Sequence, residues 1–79
     1  MNENELRAGI LEVFAQVAPE ADIANIKDEL NFRDQFEFDS VDFLGFATGL
    51  EKRFGVKISE YDYPKLSSLA GCLRYLAKT

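Results

Sequence analysis

The sequence contains no histidine and a single cysteine, Cys72. The first absence removes the commonest general base and the commonest zinc ligand. The second excludes an intramolecular disulfide, and a thiol without an imidazole forms no activated nucleophile pair. Basic residues are few: nine Lys and Arg stand against fourteen Asp and Glu, giving a formal net charge of −5. Lys52-Arg53 is the only adjacent basic pair. The chain therefore lacks the basic face that binding a phosphate backbone needs, and nucleic acid is not an expected partner. Basic protein surfaces suit this charge better. No glycine-rich stretch has phosphate-binding spacing, and no apolar run approaches membrane-spanning length. The opening Met-Asn-Glu-Asn-Glu is acidic where a signal peptide is basic, so a soluble cytoplasmic protein is expected.

What is present is a modest core. The 79 residues are 47% hydrophobic, with seven Phe and three Tyr supplying much of the volume. This reads as one domain spanning 1–79, near the lower limit of what folds alone, and a monomer is expected. So short a chain has little room for a deep catalytic cleft. Small helical chains of this size more often bind, carry or bridge.

Periodicity points to an all-α fold. Leu6, Ile10, Val13, Phe14 and Val17 repeat on one face of a first helix. Asn2 or Asn4 can cap it, and Pro19 stops it after Ala18. From Pro19 to Asp39 the apolar residues lose their period, so a long and functional loop is expected, with a short helical turn near Ala21 to Ile26. Phe43, Ala47, Leu50 and Phe54 mark a second helix from Ser40 to Phe54, with Gly55 as its stop and Lys52 and Arg53 in its last turn. Gly45 and Gly49 lie inside it. They mark either close approach by a neighbour or simple tolerance, and tolerance is the simpler reading. Tyr61-Asp62-Tyr63-Pro64 reads as a short connector. Leu69, Cys72, Leu73 and Leu76 give a last helix starting at Ser67 or Ser68. The expected architecture is a small four-helix bundle, three main helices plus one short one, with a long first loop.

Candidate chemistry is sparse. Cys72 lies on the apolar face of the last helix and reads as a buried structural thiol. A calcium loop counted from Asp34 would place Phe36 and Phe38 at ligand positions, which excludes it, and no metal site is expected. Asp39 and Asp42 fall in the first turn of the second helix, where carboxylates serve as solvated caps. That leaves Asp39-Ser40. Asp39 is a natural N-cap with Asp42 as its capping-box partner, which leaves the Ser40 hydroxyl free at the positive end of the helix.

In this setting the chain resembles the acyl carrier protein family over nearly its whole length. The resemblance rests on Asp39-Ser40-Val41-Asp42, on Leu50-Glu51-Lys52-Arg53-Phe54-Gly55-Val56-Lys57-Ile58, and on Leu66-Ser67-Ser68-Leu69 leading into the last helix. It implies that Ser40 carries 4′-phosphopantetheine, taken from coenzyme A, through a phosphodiester. It further implies that acyl groups ride on the arm's thiol as thioesters, as in fatty acid biosynthesis and other lipid metabolism. Such a carrier is not an enzyme and needs no catalytic residue, because the arm holds the reactive atom. Its implied partners are a phosphopantetheinyl transferase and enzymes that load and use the acyl group. Asp39, Val41, Asp42 and Glu51 are the residues that such partners would read.

Two departures stand out. Glu37 occupies a position where the family commonly has glycine, which raises the question of backbone strain. The second helix holds only Asp42 and Glu51 as acids, where fatty-acid-type carriers are densely acidic. This implies a dedicated carrier with its own partners, for a lipid, polyketide or related pathway. An aminoacyl carrier and an unmodified carrier-like interaction module are the alternatives. Phe43, Phe46, Tyr61 and Tyr63 either pack in the ordinary core or fill the space that shelters a cargo chain in such carriers; a void there would count against filling.

Overall fold

The computed structural model describes residues 2–78. Helix α1 spans Glu3–Val17 and buries Leu6, Gly9, Ile10, Val13 and Phe14. Asn2 is its cap: the side chain accepts from the Glu5 N–H at 2.8 Å, and the Glu5 carboxylate accepts from the Asn2 N–H at 3.1 Å. This reciprocal pair satisfies two donors that the helix itself leaves unbonded. The helix closes at Ala18, just before Pro19.

The first connection is more ordered than its sequence suggests. A 3₁₀ turn at Ile23–Asn25 falls within the expected segment. A one-turn helix, α2 at Phe32–Gln35, was not legible, because Phe32 is its only buried residue. Tertiary contacts hold it instead. The Phe32 N–H donates to the Ser67 carbonyl at 2.8 Å, and the Ala70 N–H donates to the Asp28 carbonyl at 2.9 Å. The Gln35 side chain accepts from the Lys27 N–H and donates to the carbonyls of Lys27 and Leu30. Arg7 of α1 grips Asp28 through two bonds of 2.7 Å. That contact holds the Asp28 carboxyl below its ordinary range and raises the Arg7 guanidinium. Both side chains are about one third exposed, so the pair fixes geometry more than it adds stability.

Helix α3 runs Ser40–Phe54, as its periodicity predicts, and ends on Gly55 in the left-handed conformation at φ 64°. A 3₁₀ segment, Glu60–Leu66, follows. Helix α4, Leu69–Ala77, is capped by Ser68, whose hydroxyl accepts from the Gly71 N–H at 3.1 Å. Helix α1 packs against both α3 and α4. At the centre, Phe14, Phe32 and Phe46 are fully buried. Cys72 is buried as expected, and burial pushes its thiol up to about 12. Among the described residues no strand forms; Asn31 and Ser68 make an isolated bridge.

The two glycines inside α3 differ: tolerance holds at Gly45 and is corrected at Gly49. A Cβ on Gly45 would sit 3.9 Å from the Val17 methyls, in ordinary contact. A Cβ on Gly49 would come within 2.6 Å of Val13 Cγ1. Val13 is buried and stiff about χ1, so Gly49 is what lets α1 and α3 approach. Gly45→Ala is therefore expected to stabilise the fold by roughly 0.5–1 kcal/mol, the helix-propensity gain. Gly49→Ala is expected to lose stability, because overpacking costs about 1–3 kcal/mol. Urea denaturation of both variants checks the pair, and equal gains would contradict the close approach.

Candidate attachment site

The site forms where the first connection meets α3. Asp39 is the N-cap, in extended conformation. Its carboxylate accepts from the Asp42 N–H at 2.9 Å, and the Asp42 carboxylate accepts from the Asp39 N–H at 3.1 Å. Capping is thus complete without Ser40. Ser40 is the first helical residue and is exposed. Its Oγ accepts one hydrogen bond, from the Arg33 guanidinium of α2, at 2.9 Å. Asp39, Ser40, Val41 and Asp42 share the first turn, and Val41 is 78% exposed.

Glu51 lies apart from this group, near the other end of α3. Its carboxylate accepts from the Ile58 N–H at 2.7 Å, so it braces the segment that follows the helix. Both acids of α3 are therefore engaged within the chain. Its exposed face near Ser40 is apolar, carried by Val41 and by Leu44, which is 54% exposed.

Glu37 introduces no strain, since no non-glycine residue among those described has positive φ. Its neighbours Phe36 and Phe38 turn inward onto Phe14, with ring centroids 5.4 and 5.0 Å away. Among the described residues no group of three or more potential metal-ligating side chains forms.

Beside Ser40 lies an open apolar groove of about 570 Å³, lined mainly by Phe38, Phe43, Leu44, Tyr63 and Pro64, with Arg33 and Ser40 on it. Phe46 packs in the core, as the ordinary reading holds. Phe43 and Tyr63 meet edge to face at 5.3 Å and form a wall of the groove. Tyr61 is 91% exposed and fills nothing. The open groove therefore counts against the alternative that these aromatics fill the space. A larger hollow of about 700 Å³, near Phe54 and Leu73, does not include Ser40.

Sequence reasoning missed Arg33. The signal available was weak: one of two basic residues in an acidic loop, seven positions before the serine, with no period to orient it.

The cap itself is testable. Asp39→Ala removes an acceptor worth about 1 kcal/mol, which lowers the melting temperature by roughly 4–8 °C in a chain this size. Asp39→Asn keeps an acceptor and loses far less. Thermal denaturation followed by circular dichroism reads both, and an unchanged Asp39→Ala would show that the cap adds nothing.

Comparison with known proteins gives this geometry its setting. A family profile described as the phosphopantetheine attachment site matches residues 8–76. An acyl carrier protein of Brachyspira hyodysenteriae is 31% identical over 67 residues, covering 85% of this chain and 86% of the relative. The polyketide-8 synthase acyl carrier protein 2 of Streptomyces avermitilis is 26% identical over 76 residues, covering 96% of this chain and 82% of the relative. The meromycolate extension acyl carrier protein of Mycobacterium leprae is 28% identical over 78 residues, covering 99% of this chain and 67% of the relative. The helical architecture agrees with these matches. The chain belongs to the phosphopantetheine attachment family and is an acyl carrier protein, whose cofactor is a covalently bound 4′-phosphopantetheine.

Proposed function

We propose that Ser40 is the residue that bears the arm, and that this chain is a dedicated carrier of acyl thioesters for a lipid, polyketide or related pathway. The observation that carries the assignment is the division of labour at the start of α3. Asp39 and Asp42 complete the cap between them, so the exposed Ser40 hydroxyl has no structural duty within its own helix. The positive end of the helix favours the phosphate that modification brings.

Loading is a phosphoryl transfer. The Ser40 hydroxyl gives up its proton to a base of the transferase and Oγ bonds to phosphorus. The anhydride bond of coenzyme A breaks, and its adenosine bisphosphate half leaves. The chain supplies the nucleophilic oxygen and its position, and the transferase supplies the catalytic groups. Once attached, the flexible arm brings a thiol to the client enzymes, and this chain performs no chemistry of its own on the thioester. No described helix is long and apolar enough to cross a membrane.

The surface around Ser40 supports a restricted set of partners. Val41 and Leu44 offer an apolar contact beside the arm's root, with Asp39 and Asp42 at its edge. Glu51 faces the Ile58 N–H and contributes least to such a surface. The open groove beside Ser40 has apolar walls against which the arm or the start of its cargo can lie.

The test is intact-mass measurement. The apo protein is incubated with coenzyme A and a broad-specificity phosphopantetheinyl transferase. The expected result is a gain equal to one phosphopantetheine in the wild type and none in Ser40→Ala. A wild type that gains nothing would place the chain among unmodified interaction modules, and a gain that persists in Ser40→Ala would move the site elsewhere.

A further inference from the structure

Asp34, Glu37, Asp39 and Asp42 follow Arg33 closely in sequence, yet among the described residues Arg33 makes no carboxylate ion pair. Its guanidinium instead donates to the neutral Ser40 Oγ at 2.9 Å. A bond to a hydroxyl is the weaker choice, since hydrogen bonds to ionised acceptors are roughly twice as strong as neutral ones.

The geometry points to a different acceptor in the loaded protein. We infer that Arg33 is a positioning residue for the phosphodiester on Ser40, holding the root of the arm beside the apolar groove. The inference rests on Ser40 being the attachment residue. Modification turns Oγ into an ester oxygen, a poorer acceptor, and places two non-bridging oxygens that share one negative charge two bonds from it. Rotation about the last side-chain torsions of Arg33 brings its planar fork onto them, a match that a lysine point charge does not reproduce. The same contact offsets the charge problem that loading creates. A phosphodiester adds a negative charge beside Asp39 and Asp42, whose carboxylates are fixed in the cap.

The aim of the arm follows from where Arg33 stands. Arg33 and Ser40 line the groove together with Phe43 and Tyr63, and Arg33 reaches Ser40 from α2. A phosphate bound from the α2 side leaves the rest of the arm to depart along the groove rather than over Val41 toward solvent. The buried neighbour Phe32 anchors the turn that carries Arg33, so its backbone is held by the core.

The experiment compares apo and loaded forms of the wild type, Arg33→Gln and Arg33→Lys, with loading confirmed by intact mass. Three signals are read: the 31P resonance of the phosphodiester, the Arg33 side-chain 15N–1H resonances, and the loaded-minus-apo difference in melting temperature. In the wild type, loading is expected to move the Arg33 resonances and to raise the melting temperature. Arg33→Gln is expected to load, to show a displaced 31P resonance, and to lose the rise. Arg33→Lys, which keeps the charge without the fork, is expected to recover only part of it. A purely structural tie between α2 and α3 would alter the apo protein and leave the loaded-minus-apo difference unchanged, which would overturn the inference. Identical 31P resonances in wild type and Arg33→Gln would overturn it as well. Failure of the wild type to gain mass would instead overturn the attachment reading, and this inference with it.

Discussion

The structure depends on one buried ring. Phe14, on the inner face of α1, has Phe32, Phe36, Phe38 and Phe46 around it at centroid distances of 4.7 to 5.5 Å. Three of those four come from the first connection rather than from a main helix. Aromatic contacts of this kind add about 0.5–1.5 kcal/mol each beyond the area they bury. A connection of this length would otherwise carry a large conformational entropy cost with nothing to offset it. The ring cluster is therefore what turns the path from Pro19 to Asp39 into a fixed support. Everything at the site hangs from it: Phe32 carries Arg33, Phe38 leads into Asp39, and Phe46 fixes the inner face of α3.

At the start of α3, capping falls on atoms other than the Ser40 hydroxyl. Asp39 and Asp42 saturate the start of the helix, Glu51 braces its far end through Ile58, and Gly49 lets α1 approach its middle. Ser40 is needed for none of this. A serine released from capping duty tolerates an appended group without loss of the helix. That freedom is what an attachment residue requires. The same economy shapes the outer face of α3: its acids are used internally, and what remains for partners beside Ser40 is mainly Val41 and Leu44. In the proposed carrier role, such a surface favours shape and apolar contact over charge.

The three main helices were legible in the sequence because their apolar residues repeat with helical period, and their caps were legible because Asn2, Asp39 and Gly55 have a local chemistry of their own. The exposed place of Ser40 after the cap was legible for the same reason. Helix α2 was not. One turn shows no period, and its bonds run to the Ser67 carbonyl, to the backbone of Lys27 and Leu30, and to the Ser40 hydroxyl. Arg33 was hidden with it, since only the fold brings it to Ser40. Gly49 was misjudged because its partner, Val13, lies on another helix. The groove was left open because composition counts aromatic rings without saying that Tyr61 is exposed and Phe43 lines a wall. What local chemistry decides could be read, and what a distant contact decides could not.

The central claim is that the Phe14 cluster, more than any local preference, holds the first connection in place under the site. Native-state hydrogen exchange in the wild type and in Phe14→Leu tests it directly. The reporters are the Phe32 and Ala70 amides, which close the connection onto the Ser67 and Asp28 carbonyls. The Leu50 amide, in the middle of α3, serves as the global reference. The account predicts that Phe14→Leu lowers protection at Phe32 and Ala70 by clearly more than at Leu50. Equal losses at all three amides, or protection at Phe32 and Ala70 that does not change, would contradict it.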